Sequence, residues 1–175
     1  MNEQNGKKFY GKFLGTVVTN VDPLNTGRLL VQVPDVLGSD PCIWATSASP
    51  LAGKQMGIYA IPLPGDGVWV EFQDGDPNYA IWTGSWRGSP SEVPAMAMAA
   101  PPGAPPIILQ SITQNKIIIS SVPGDGITLE TALGPTGPSL KITAAGIIIS
   151  DGKGAMITLT GGIVTINQGA LVITS

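Results

Sequence analysis

Asp66, Glu71, Asp74 and Asp76 stand close together in the chain and raise the question of acid–base chemistry, since glycoside hydrolysis needs two carboxyl groups facing across a sugar. Their contexts point elsewhere. Asp66 lies in Pro64-Gly65-Asp66-Gly67, and Asp74 and Asp76 lie in Asp74-Gly75-Asp76-Pro77, turn sequences in which an aspartate bonds its own backbone. Asp74-Gly75-Asp76 opens like a calcium loop but lacks the further spaced oxygen ligands and the closing glutamate. The run from Gly146 to Lys153 resembles a phosphate loop only faintly. It has one residue too many between its glycines, and Gly154 stands where a magnesium-binding Ser or Thr belongs, so a turn between strands accounts for it better. Histidine is absent and Cys42 is the single cysteine, which removes the commonest general base, the commonest metal ligand and any intrachain disulfide. Cys42 reads as a small buried residue. No catalytic residue, cofactor or metal is expected.

Aromatic residues raise a second chemistry, stacking on unpaired bases. Trp44, Tyr59, Trp69, Phe72, Tyr79, Trp82 and Trp86 crowd the first half of the chain. Base stacking normally works inside a basic groove, however, and here the cations are few, chiefly Arg28, Lys54 and Arg87, in a chain of net charge -3 and pI about 4.7. A module that binds single-stranded nucleic acid or oligosaccharide is therefore the alternative reading. A salt-dependent affinity of residues 1–88 for single-stranded DNA would favour it.

The elements that carry these residues are short strands. Hydrophobic residues make up 43% and charged residues 12%, with 23 Gly and 16 Pro, a composition of turns and strands that leaves little charge to keep a single copy soluble. Residues 1–8 form a polar, basic tail with no apolar run behind it, so no secretory signal is expected. Strands are predicted over Phe9 to Thr19, Arg28 to Pro34, Cys42 to Ser47, Tyr59 to Ile61, Val68 to Phe72 and Tyr79 to Gly84, with a loop from Ser49 to Gly57. Five or six such strands in residues 9–88 predict a small closed barrel of the oligonucleotide/oligosaccharide-binding (OB) type. Residues 89–106 are a Pro/Ala/Met linker, too broken for a helix and expected to be extended.

From 107 to 175 the pattern changes. Apolar pairs separated by one residue recur: Ile117/Ile119, Ile127/Leu129, Leu140/Ile142, Ile147/Ile149, Ile157/Leu159, Val164/Ile166 and Leu171/Ile173. Turn residues stand between them, and the near-repeat signals a β-helix or prism. A chain with two inward side chains per strand has no second apolar surface to cover them. A natural solution is several copies meeting with Ile117, Ile119, Ile127, Leu129, Leu140, Ile142, Ile147, Ile149, Ile157, Leu159, Val164 and Ile166 on a common axis and Thr128, Thr143, Thr158, Thr165 and Thr174 on a solvated outer face. The uncharged stretch from Gly154 to Ser175 raises a membrane span, but its alternation with Thr, Asn and Gln favours strands. A single-copy solenoid would need longer, more regular coils.

Four stretches stand in an order that resembles one known family. They are Gly15-Thr16-Val17-Val18-Thr19-Asn20-Val21-Asp22-Pro23, Gly27-Arg28-Leu29-Leu30-Val31-Gln32-Val33-Pro34, Pro64-Gly65-Asp66-Gly67-Val68-Trp69-Val70-Glu71-Phe72 and Gly75-Asp76-Pro77. They are similar to the phage baseplate assembly protein V and VgrG spike family. The resemblance implies an all-β chain, an OB-fold barrel followed by an intertwined trimeric β-helix or prism at 107–175. It implies the non-enzymatic, homotrimeric central spike of a contractile tail or injection machine, which plugs the tube and punctures the target envelope. Its expected place is a virion tail baseplate or an injection particle assembled in the cytoplasm.

Three departures shape the expected partners. The hub region that VgrG proteins carry ahead of the barrel is missing, so a separate hub subunit is expected there. No lysozyme-like insertion separates barrel from prism. No His-X-His motif stands near the C-terminus, so a PAAR-like tip protein is expected to dock on Leu171, Val172, Ile173, Thr174 and Ser175. Transient contact with the target membrane is expected, and none with nucleic acid.

Overall fold

The computed structural model describes residues 7–38 and 42–174. The chain divides into two compact units, Met1–Pro90 and Ser91–Ser175, so the Pro/Ala/Met stretch belongs with the second. Among the described residues no helix is long and apolar enough to cross a membrane.

The first unit is a closed five-strand barrel. Its strands are β1 (Phe13–Thr19), β2 (Leu29–Gln32), β3 (Cys42–Ser47), β6 (Gly67–Phe72) and β7 (Ala80–Trp86), with the small hairpin β4 (Ala52–Gly53) and β5 (Met56–Gly57) inserted after β3. The order β1-β2-β3-β7-β6 closes by pairing β6 back onto β1, and β3 lies parallel to β7 while the other neighbours are antiparallel. Alternation explains the closure. Val17, Leu29, Val31, Val33, Ala45, Val68, Val70, Phe72, Ala80 and Trp82 point inward and form one buried cluster. Each such aliphatic side chain stabilises the fold by about 1.5–3 kcal/mol.

Several sequence expectations are refined in this unit. The first strand starts at Phe13 rather than Phe9, yet Phe9 still joins the barrel. Its N–H donates to Gly75 O at 2.9 Å, and its ring packs 6.2 Å from Phe13 and 6.3 Å from Phe72. The expected tail lies outside the described residues up to Gly6. The loop after Ser49 holds a hairpin, tied by the Ser49 hydroxyl donating to Leu51 O and Ile58 O. Tyr59 to Ile61 is not a strand. Pro34–Leu37 adds a single turn of helix, α1, where Pro at the first position presets the backbone. Cys42 is exposed, not buried, because it alternates outward at the start of β3.

The second unit opens with a turn of helix, α2 (Ala95–Met98), where an extended linker was expected. Ala and Met favour helix, and Pro101 and Pro102 stop it. Eight strands follow: β8 (Ile107–Gln110), β9 (Lys116–Ile119), β10 (Ile127–Glu130), β11 (Ser139–Thr143), β12 (Gly146–Ser150), β13 (Met156–Thr160), β14 (Ile163–Ile166) and β15 (Leu171–Thr174). They form one antiparallel sheet in strict chain order, each strand paired with the next. The stretch considered as a membrane span is thus β13 to β15. The turns are tight. Gly161 and Gly162 have φ of 55° and 83°, the two-residue turn whose twist matches antiparallel strands. Gly126 and Gly146 abut the carbonyls of Ile142 and Leu159, where a side chain would collide.

Candidate assembly face

Direct cross-strand partners in an antiparallel sheet point to the same side, so the register decides which residues share a face. One column runs Ile107, Ile119, Ile127, Ile142, Ile147, Leu159, Val164, Ile173, each directly opposite the next. A second runs Leu109, Ile117, Leu129, Leu140, Ile149, Ile157, Ile166, Leu171 in the same pairs of strands. Because the two columns lie two residues apart along every strand, all sixteen side chains project from one face. Every position there is Ile, Leu or Val.

All twelve residues expected on a common axis fall in these columns. Ile107 and Leu109 join them, although the sequence reading passed them over. The apolar Ile108 between them is no reason for that, since Ile118 and Ile148 stand in the same place in two pairs that were recognised. Leu171 and Ile173, expected to hold a tip protein, are the eighth rung of the same columns and are 51% and 55% exposed. The side chains of Val172 and Thr174 and the whole of Ser175 lie outside the described residues.

The face is uncovered within one chain. Leu109 is 66% exposed, Ile149 47% and Ile157 37%, and only Leu140, Ile147, Val164 and Ile166 of the sixteen are half-buried. Among the described residues of the second unit Ile118 alone is a buried hydrophobic, and it points to the opposite side. That opposite side was expected to be solvated, yet Thr128, Thr143, Thr158 and Thr165 are half-buried there. For Thr128 and Thr143 the reason is local. The β10–β11 turn with Leu133 and Pro135 walls a groove of about 690 Å³ whose floor includes Ile118, Thr128 and Lys141. Beside it Lys116 and Glu130 face each other across β9 and β10 at 2.9 Å, their side chains only 10% and 8% exposed.

Of the carboxylates singled out in the sequence, Asp66 and Asp76 hold turns. Asp66 Oδ2 accepts the Leu63 N–H at 2.7 Å, and Glu71 pairs with Lys12 on the surface at 2.8 Å. Asp74 occupies a left-handed turn position with φ of 51°. Asp76 Oδ1 accepts the N–H and the side-chain amide of Asn78, which hold its carboxyl below the usual range against opposing burial. Asp151 ends β12 by accepting the N–H groups of Lys153 and Ala155, so the stretch resembling a phosphate loop is a strand and its turn, with no helix behind it. Among the described residues no group of three or more His, Cys, Asp or Glu is placed to hold a metal.

Asp22 carries the densest polar network of the first unit, and the sequence reading missed it. Its two oxygens accept from the backbone N–H of Leu24, Thr26 and Arg28, from the Thr26 hydroxyl, and from Nε and Nη2 of Arg28. The Arg28 guanidinium, and then the backbone donors, hold this carboxyl well below the ordinary carboxylate range although burial opposes them. Spacing was the available signal, since Asp22-Pro23 opens a loop that closes at Gly27-Arg28.

The network also engages Arg28, one of the few cations that base stacking could use. Arg28 is bonded to Asp22 and lies 4.9 Å from the Trp44 ring, Trp82 is buried with Nε1 donating to Gly27 O, and Phe72 is in the core. The Trp86 ring covers Gly67, where any side chain would strike it. Of the seven aromatics, Tyr59 and Tyr79 project most clearly, at 77% and 62% exposed. Tyr59 borders a cleft of about 720 Å³ with Leu51, Met56, Ile58 and Ile61, lined by no charged residue.

Residues 13–86 match the type VI secretion system/phage-baseplate injector OB domain, and residues 106–172 match the phage baseplate V C-terminal trimerisation domain. No curated protein matches the chain. The first match coincides with the closed barrel and the second with the sheet whose apolar columns lie open, so the sheet is a trimerisation domain and the chain assembles as a homotrimer. The chain belongs to the phage baseplate V and VgrG-type family and is a spike component of a phage baseplate or type VI secretion injector.

Proposed function

We propose that the trimer is the central spike itself: it closes the end of a tail tube, is driven forward by a contracting sheath and punctures the target envelope. The observation that carries this reading is the pair of apolar columns, eight residues each, on a second unit that has a single buried hydrophobic among its described residues. Three such faces turned toward one another would make a dry axis, and a column of strands braced by backbone hydrogen bonds suits a part loaded in compression. Ile117, Ile119, Ile127, Leu129, Leu140, Ile142, Ile147, Ile149, Ile157, Leu159, Val164 and Ile166 line that axis, and Ile107 and Leu109 extend it. The work is mechanical, and no residue is assigned a catalytic role. A native mass of three chains, resistant to heat and detergent, is the expected measurement. A single-chain mass with the sheet still folded would rule the spike out.

The barrel docks on a hub subunit. Support comes from the uncharged cleft beside Tyr59, where Leu51, Met56, Ile58 and Tyr59 stay exposed outside the barrel core. Deleting 1–8 should weaken hub binding more than folding, and unchanged affinity for the purified hub would remove the tail from the interface.

At the other end a small tip protein of the PAAR type caps the last strand, using the free edge of β15 and contacts from Leu171 and Ile173. Loss of 171–175 should leave a trimer that no longer retains the tip. A metal held by this chain at its own apex, or a bare end in the intact machine, would overturn the capping.

A further inference from the structure

We propose that Asp22 is a positioning residue for docking: its carboxylate shapes the loop 20–27 into a wall of the uncharged cleft beside Tyr59, preformed to receive an apolar, uncharged segment of the hub. This rests on the hub-docking reading and deepens it, since it names the kind of segment that enters the cleft and the residue that readies the cleft for it.

The loop does not hold its shape by burying apolar side chains. Val21 and Leu24 are 77% and 63% exposed, and the one buried side chain from Asn20 to Thr26 is Asp22. Its two oxygens divide six donors evenly. Oδ1 accepts from the Leu24 N–H and from Nε and Nη2 of Arg28, and Oδ2 accepts from the N–H groups of Thr26 and Arg28 and from the Thr26 hydroxyl. The loop is thus wrapped round a carboxylate where other loops wrap round an apolar side chain. Asparagine has the same size but a single accepting atom, so either orientation of its amide leaves three of the six donors without their acceptor.

What this carboxylate holds in place is cleft wall. Asn25, Thr26 and Gly27 line the cleft together with Leu51, Ile58 and Tyr59. Gly27 is pinned: Trp82 Nε1 donates to its carbonyl at 3.1 Å, and a Cβ on it would stand 3.3 Å from the Ile61 side chain and 3.4 Å from the Tyr59 ring. Asn20 ties the start of the loop to the same segment, its Nδ2 donating to Pro62 O at 2.9 Å. Neither Asp22 nor Arg28 is among the residues lining the cleft, so both reach a docked segment only through the loop. A wall fixed beforehand lowers the ordering cost of binding. A lining without charge suits a segment that brings no charge to be desolvated.

Equilibrium binding of the full-length protein to the purified hub tests the assignment. Asp22→Asn should raise the Kd about tenfold, because several loop residues must then be ordered on docking. Arg28→Gln should act in the same direction, and it carries the test where Asp22→Asn does not fold. Val31→Ala is the control, a buried change that does not line the cleft. It should lower the barrel's melting temperature and leave the Kd where it was. Tyr59→Ala, on the cleft itself, should raise the Kd. If Tyr59→Ala weakens the complex but folded Asp22→Asn or Arg28→Gln does not, the positioning role is overturned and the hub site stands. Val31→Ala weakening the complex as much as Asp22→Asn would overturn it too, since loss of stability alone would then explain the effect. If Tyr59→Ala leaves the Kd unchanged, the hub binds elsewhere, and the docking reading falls together with the segment assigned to the cleft.

Discussion

In the barrel, Leu29, Val31 and Val33 alternate with their neighbours and are wholly buried, whereas in the sheet Ile127 and Leu129, spaced the same way, remain 39% and 38% exposed. The local pattern is identical and the outcome is opposite. What differs is closure. β6 returns to pair with β1, so the barrel's inward side chains face one another across its interior. β15 never meets β8, so the sheet has a face but no interior. Period-two alternation specifies which side is apolar; topology decides whether that side is a core or an interface.

The comparison is broken most severely by a charge on either apolar side. Ile157→Asp should abolish the trimer, since it would bring three carboxylates together near the axis away from water, and burial of unpaired charge is what interfaces tolerate least. Val164→Asp should do the same. The barrel should keep its near-ultraviolet circular dichroism in both variants. Val31→Asp should have the converse effect, unfolding the barrel while residues of the sheet still sediment as a trimer. If Ile157→Asp leaves a native mass of three chains, the columns do not line the axis.

Much of this was legible in the sequence because the elements are short and their punctuation is explicit. β3 was expected at Cys42 to Ser47 and is found there, since Gly and Pro on either side leave no other reading. All twelve axis candidates share a face because a strand of four or five residues between glycine turns can register only one way. Two kinds of feature were hidden. The helical turn α1 begins on Pro34, which was read as the end of a strand, and α2 follows Pro94, which was read as part of a linker too broken for a helix, although proline is favoured at the first turn of a helix. The strict chain order of the sheet was hidden because spacing alone does not say which strands are neighbours. The φ angles at Gly161 and Gly162 make one of its hairpins explicit.

A smaller effect comes from Asp22, which stabilises the barrel only. Its folded-state affinity for a proton is lowered by Arg28 and by the surrounding N–H donors. A depressed carboxylate contributes stability that is fully present above its unfolded value, about 3.9, and is lost as pH falls through the folded value. Barrel melting temperature should therefore fall as the medium is acidified below about pH 4. Asp22→Asn should lower the melting temperature at neutral pH and flatten that acid limb, while the trimer's dissociation temperature stays where it was. An acid limb unchanged by the substitution would show that other carboxylates carry it.

The finest test of the comparison uses two ion pairs of nearly equal length. Lys12 and Glu71 lie on the barrel at 2.8 Å with side chains 51% and 41% exposed, and Lys116 and Glu130 lie on the sheet at 2.9 Å with side chains 10% and 8% exposed. Distance alone would rank them equal. Exposure does not, because water and salt screen the first pair, whose loss should change barrel stability by less than about 1 kcal/mol. Around the second pair the sheet's covered side excludes water, so removing one partner leaves the other charged and poorly solvated. Glu130→Gln should therefore lower the sheet's thermal midpoint measurably, and adding Lys116→Met should recover most of the loss, because two neutral side chains leave no charge behind. Lys12→Gln should shift the barrel's midpoint barely at all, with or without added salt. Equal shifts for Lys12→Gln and Glu130→Gln would mean that the groove side of the sheet is as wet as the barrel surface, and the covered character of that side would have to be abandoned.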